Sequence, residues 1–102
     1  MKRYILAPAA ARDLVEIWRY IKEESSRNTA ERVESVIREK LVFLAGSQGT
    51  GHRRHDLTGA DVRFFPIYSY LIVYRPDTKP MQVAAILHGA RDVAKLLLTR
   101  LH

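Results

Sequence analysis

No cysteine occurs among the 102 residues. That excludes a disulfide framework and any thiolate metal site. No apolar run reaches the roughly 18 residues of a membrane-spanning helix. The N-terminal run Tyr4-Ile5-Leu6 is cut at Pro8, too short for the hydrophobic centre of a signal peptide. A small cytoplasmic protein without membrane association is therefore expected, and the length fits a single domain over residues 1–102. Glycine is scarce, with five residues, and four of them fall between Gly46 and Gly59. Acidic residues are in deficit, 11 against 17 basic ones, which leaves a net charge of +6.

The basic excess is uneven. Residues 1–45 carry nine basic and seven acidic side chains, and residues 46–102 carry eight and four. Arginine outnumbers lysine 12 to 5, a bias toward planar, bidentate contacts with carboxylate or phosphate. An anionic partner fits this balance, and so does ordinary solubility.

Hydrophobic periodicity divides the chain. Lys2 to Leu6 reads as a strand. Pro8 suits a first helical position, and Leu14, Ile17, Trp18 and Ile21 form a helical stripe. Arg12, Asp13, Glu16, Arg19, Lys22 and Glu23 fall on the opposite, polar face, with Arg12–Glu16 and Arg19–Glu23 spaced for ion pairs. Asn28 with Glu31 resembles a capping box for a second helix, whose stripe is Ala30, Val33, Ile37, Leu41 and Leu44. Gly46 is placed to stop it.

A glycine-rich loop with the basic tetrad His52-Arg53-Arg54-His55 follows. The period then shifts to two over Val62–Ile67, Tyr70–Arg75 and Met81–His88. Ala90 to Leu101 can form a terminal helix. The expected fold is α+β with order β-α-α-β-β-β-α: an N-terminal strand, an α-hairpin packed on an antiparallel sheet, and a short C-terminal helix. Met81, Val83, Ala85 and Leu87 are expected on one face of the last strand, and Gln82, Ala84, Ile86 and His88 on the other. Both faces are apolar. The hairpin covers one; a partner segment or the terminal helix covers the other.

Chemistry-bearing motifs are few. His52 and His55 lie three apart, but the intervening arginines oppose a dication, and no metal site is expected. The glycines match neither a dinucleotide-binding loop nor a phosphate loop, and Ser47 and Ser69 lack a nucleophile-elbow context. No cofactor is expected. Arg63, Arg75 and Arg91 could hold a phosphate, with His88 or a tyrosine moving a proton, as RNA cleavage requires. Tyrosine's preference for strands explains Tyr68, Tyr70 and Tyr74 equally well.

The segment Ile86-Leu87-His88-Gly89-Ala90-Arg91-Asp92 resembles one that recurs in ParE toxins of the RelE/ParE superfamily. So do Tyr4 to Pro8 with Asp13 to Ile21, Arg54 to Phe65, and Tyr70 to Pro76, in that order along nearly the whole chain. The resemblance implies a type II toxin neutralised by a ParD-like antitoxin that itself binds operator DNA. It also implies one of two targets. ParE-like members inhibit DNA gyrase without chemistry of their own; RelE-like members cut mRNA on the ribosome. Only Lys79 and Lys95 supply lysine to the second half, and no tyrosine follows the last strand, which favours the gyrase side. Were the chain RelE-like, Arg63, His88 and Arg91 would be catalytic. Tyr70, Ile72, Tyr74, Ile86, His88 and Leu97 are the expected antitoxin contacts. Two departures stand out: Ala7 where a serine commonly precedes the proline, and Tyr68-Ser69 where the turn commonly holds glycine.

Overall fold

A computed structural model describes residues 3–101. The elements are β1 (Tyr4–Leu6), α1 (Pro8–Glu24), α2 (Arg27–Gly46), β2 (Arg63–Ile67), β3 (Tyr70–Arg75), β4 (Met81–His88) and α3 (Val93–Arg100). The α+β order is the expected one. The start of the expected first strand, Lys2, lies outside the described residues.

Pro8 opens α1, where its missing N–H has no helical partner to lose. Ala7 caps the helix without a side-chain hydrogen bond. The cap of α2 is Ser26 rather than Asn28: its extended backbone aims the hydroxyl at Thr29 N–H, 3.1 Å away. Asn28 therefore lies within the first turn. Ion pairs at i,i+4 close in α2, at Arg27–Glu31 and Glu34–Arg38, and not at the α1 pairs expected from spacing.

The sheet order is β1-β4-β3-β2. Strands β2, β3 and β4 form an antiparallel meander, as their short connections require. β1 joins β4 in parallel, with Tyr4 opposite Met81 and Leu6 opposite Val83, so the sheet is mixed rather than wholly antiparallel. The long path through the α-hairpin permits this crossover.

Strict alternation fails in β4. Tyr74 pairs with Val83, but the preceding Val73 pairs with Ala85, leaving Ala84 as an extra residue. This β-bulge switches the phase of the strand. Met81 and Val83 face the hairpin, and beyond the bulge so does Ile86; Ala85 and Leu87 turn to the other face. Residues expected together on one face are thus divided between two.

Two apolar cores result. Leu14, Ile17, Ile37, Leu41 and Leu44 of the hairpin pack on Tyr70, Ile72, Tyr74, Met81, Val83 and Ile86. On the opposite face Val62, Phe64, Val73, Ala85 and Leu87 pack beneath Val93 and Leu97 of α3. Each buried aliphatic side chain contributes about 1.5–3 kcal/mol. The terminal helix and the Leu57–Val62 end of the long loop therefore cover the second face, and the sheet offers no bare face to a partner.

Asp13 is buried, not on the polar face of α1. β1 stops opposite Val83, which leaves the β1 side of β4 open beyond that point. There the Asp13 carboxylate accepts the Ile86 N–H at 3.0 Å and two N–H groups of Arg100 at 2.6 and 2.8 Å. A buried acid without such partners would be costly. With them it ties α1, β4 and α3 together.

Candidate functional site

The long loop between α2 and β2 is held at Gly51. Its N–H donates to the Tyr74 hydroxyl at 2.8 Å, and that hydroxyl donates to Gln48 C=O at 2.9 Å. Arg63 donates to Gly51 C=O at 2.8 Å. A Cβ at Gly51 would stand 2.6 Å from the Tyr74 hydroxyl, so only glycine fits. The side-chain amide of Gln48 adds hydrogen bonds to Pro76 and Thr78 carbonyls. Burial raises the Tyr74 hydroxyl above its ordinary pKa, against the Gly51 N–H, which favours the ionised form. Arg63 is thus a clamp on the loop.

The basic tetrad is largely neutralised within the same loop. Arg53 pairs with Asp61 at 2.7 Å and Arg54 makes a bidentate pair with Asp56 at 2.8–2.9 Å. The Asp61 carboxyl is held below its usual range by its neighbour Asp77, which takes the proton of the pair, and by Arg53; Asp77 is pushed up by Asp61.

An open groove of about 670 Å³ lies at the other end of the sheet, between the α-hairpin and the ends of β3 and β4. Ile17, Ile21, Val33, Tyr70 and Ile86 form its apolar floor. Tyr20, Tyr68, His88, Glu16 and Arg91 line its rim. The periodicity of each element brings these residues together: Ile17, Tyr20 and Ile21 share one side of α1, and Tyr70 stands opposite His88 in the ladder. The two rings of that pair meet edge to face, 5.4 Å apart at 86°. Burial, then the neighbouring Tyr20 hydroxyl, raises the Tyr70 pKa. His88 Nδ1 accepts the Ala90 N–H at 3.0 Å, which shapes the turn leading to Arg91.

Tyr68 stands at the tip of the β2–β3 hairpin, 61% exposed, with φ of +52°. The left-handed region is rarely occupied by tyrosine and costs about 1–2 kcal/mol. The awkward Tyr68-Ser69 turn therefore places its strain on an exposed aromatic beside the groove. Gly89 N–H donates to Ser69 C=O at 2.8 Å and fixes the turn.

The residues expected at the site fall in three places. Tyr70, Ile86, His88 and Arg91 line the groove. Ile72 and Tyr74 are wholly buried in the hairpin core, and Leu97 is buried on the sheet-facing side of α3, so these three present no surface to a partner. Arg63 pairs with Tyr74 whereas His88 pairs with Tyr70, so four residues of β3 separate them along the sheet, about 13 Å. Arg63 gives its Nη1 to Gly51 C=O, its Nε is buried without a partner, and it does not converge with His88 and Arg91 on one phosphate-sized space. Tyr20 and Glu16 escaped sequence reasoning as site residues, and Tyr68 entered it only as one of the tyrosines that could move a proton, not as a contact. Tyr20 carries a faint signal, an aromatic next to the apolar stripe; Tyr68 carries a clearer one, a bulky residue where a hairpin turn wants glycine.

The family described as ParE toxin of type II toxin-antitoxin system, parDE, matches residues 4–93. The chain belongs to the ParE toxin family. The match runs from β1 to the start of α3 and takes in every groove residue. Among solved structures, the chromosomal ParDE toxin-antitoxin system from P. aeruginosa contains a chain of the same fold. The two are 20% identical with a TM-score of 0.71, over 86% of this chain and 96% of the other. No curated protein matches. This ParE-family chain is thus a toxin-type domain with no helix long and apolar enough to cross a membrane among the described residues.

Proposed function

We propose that this ParE-type toxin acts in the cytoplasm by binding DNA gyrase and that a ParD-like antitoxin neutralises it. One observation carries the choice of target: Arg63 is committed to Gly51 at one end of the sheet, while His88 and Arg91 border the groove at the other. A phosphate-clamping and proton-moving constellation needs its members within hydrogen-bond reach of the reacting atoms. Inhibition through protein contacts needs no such convergence and fits the geometry better than mRNA cleavage by Arg63, His88 and Arg91.

Tyr70, Ile86 and His88, together with Tyr20 and Tyr68, are the proposed antitoxin contacts. Half-exposed aromatic rims around an apolar floor suit a docked apolar segment. Operator DNA would be reached through the antitoxin. The test is a supercoiling assay with antitoxin-free protein, the host's gyrase and relaxed plasmid. Loss of supercoiling with accumulation of linear DNA is expected. Intact supercoiling from protein that arrests cell growth would overturn the gyrase reading and restore mRNA cleavage as the alternative.

A further inference from the structure

α3 is eight residues long, too short to persist as an isolated helix in water. It is held by burial of Val93 and Leu97 on the second core, with Leu96 and Leu101 at the margin. Among the described residues a single polar tie joins it to another element: the bidentate pair of Arg100 with Asp13.

Both ends of this helix connect to the groove, although the helix itself covers the opposite face of the sheet. At its C-terminal end Arg100 reaches the Asp13 carboxylate, which belongs to the groove lining while Arg100 does not. At its N-terminal end Arg91, next to the capping Asp92, lines the groove as well. His88 sets the turn that presents Arg91: its Nδ1 accepts the Ala90 N–H at 3.0 Å and its C=O accepts the Arg91 N–H at 3.1 Å. Undocking of α3 would therefore change the groove at two points. It would loosen Arg91 and leave Asp13 a charge without its partner. With the groove empty, that carboxylate is hydrated from the groove and from the space Arg100 leaves. An apolar segment in the groove removes the first of these, so opening costs more when the groove is filled.

We propose that α3 is a flap linked to the groove: it opens and closes as a unit, and an occupant of the groove holds it closed through Asp13 and Arg91. Linkage is reciprocal, so a closed α3 tightens the occupant by the same factor. Arg100 is then a positioning residue for the groove, acting through Asp13 from the far face of the sheet. The inference rests on the antitoxin as the groove's occupant but concerns the response of α3, not the contact itself.

The test is backbone amide exchange on the full chain, alone and with its cognate antitoxin, together with the affinity of variants. The Leu96 and Leu101 amides, bonded to the Asp92 and Leu97 carbonyls, are expected to exchange faster than those of β3 in the free protein. Binding is expected to slow them about tenfold or more. Arg100→Met is expected to weaken antitoxin binding by a similar factor, and Lys95→Ala, on the exposed side of α3, to leave it unchanged. In an Asp13→Asn background, where opening bares no charge, Arg100→Met is expected to change the affinity by less than about twofold. If the antitoxin binds while Leu96 and Leu101 exchange as before, or faster, the groove does not hold α3 and the inference fails although the antitoxin reading stands. Equal losses from Lys95→Ala and Arg100→Met would show that the antitoxin touches α3 itself, which also defeats the linkage. If the unaltered chain does not bind the antitoxin at all, the antitoxin reading fails and the inference falls with it.

Discussion

Asp13 and Arg100 stand 87 positions apart in the chain and meet in a bidentate ion pair with contacts of 2.6 and 2.8 Å. The pair raises the Arg100 pKa, chiefly through the side-chain hydrogen bond to Asp13. Its second role is indirect: the same carboxylate holds Ile86 N–H, so α3 is fastened to the backbone of β4 through a side chain of α1.

Arg100→Ala is expected to lower the unfolding free energy by about 2–3 kcal/mol, the low end for breaking a buried pair, because the arginine side chain is still 20% exposed. Asp13→Ala removes the acceptor of Ile86 N–H as well and is expected to cost at least as much. The double variant is expected to cost less than the two together, since neither charge is left alone. Urea denaturation of the four proteins measures this. Strict additivity would show that the pair does not couple.

Gly51→Ala drives a methyl group against the Tyr74 hydroxyl and is expected to destabilise by about 1–3 kcal/mol. Tyr74→Phe leaves Gly51 N–H and Gln48 C=O without their partner and is expected to cost a similar amount. Thermal unfolding reads both. A neutral Gly51→Ala would show that the loop shifts freely and is not held at this point.

Tyr68→Gly relieves the positive φ and is expected to stabilise the free toxin by up to about 1 kcal/mol, offset in part by the added freedom of the unfolded chain. The same change removes an exposed ring from the groove. Antitoxin affinity is expected to fall about tenfold or more, as when an interface aromatic is truncated. A rise in melting temperature with undiminished affinity would remove Tyr68 from the proposed contact surface.

Alkaline pH should loosen the fold. Burial raises the pKa of the Tyr70 and Tyr74 hydroxyls, so the unfolded chain ionises them first. Their contribution to stability is complete below about pH 10 and is lost as pH rises through the folded-state values. Tyr70→Phe is expected to match the parent at pH 7 and to decline less steeply above about pH 10. Parallel denaturation curves at both pH values would contradict this.

The sequence displayed most of the fold because its helices and strands use their simplest periods. The spans of β3 and β4 follow from the period of two, and α1 begins at the proline that permits it. What escaped was set by tertiary context. A bulge at Ala84 leaves no local mark, since alanine suits either face, yet it reassigns Ala85, Ile86 and Leu87. Asp13 reads as a surface acid until Arg100 is folded back onto it. Of the site, His88 and Arg91 were legible through their resemblance to a recurring family segment. Ile72 and Tyr74 were misplaced because apolar strand residues look alike whether they face a partner or the protein's own hairpin.

The parallel pairing of β1 with β4 also governs when the domain can assemble. Its first strand has its partner at Met81–Val83, and α1 finds Ile86 later still. A chain growing at roughly 5–20 residues per second takes about 2–8 seconds to pass from the end of α2 to the end of β4. Throughout that interval the α-hairpin exists without the sheet beneath it, and its apolar stripe has no native surface to cover. Folding therefore waits on the last third of the chain, and a nascent chain halted before β4 lacks the one strand that joins β1 to β3 and supplies side chains to both cores.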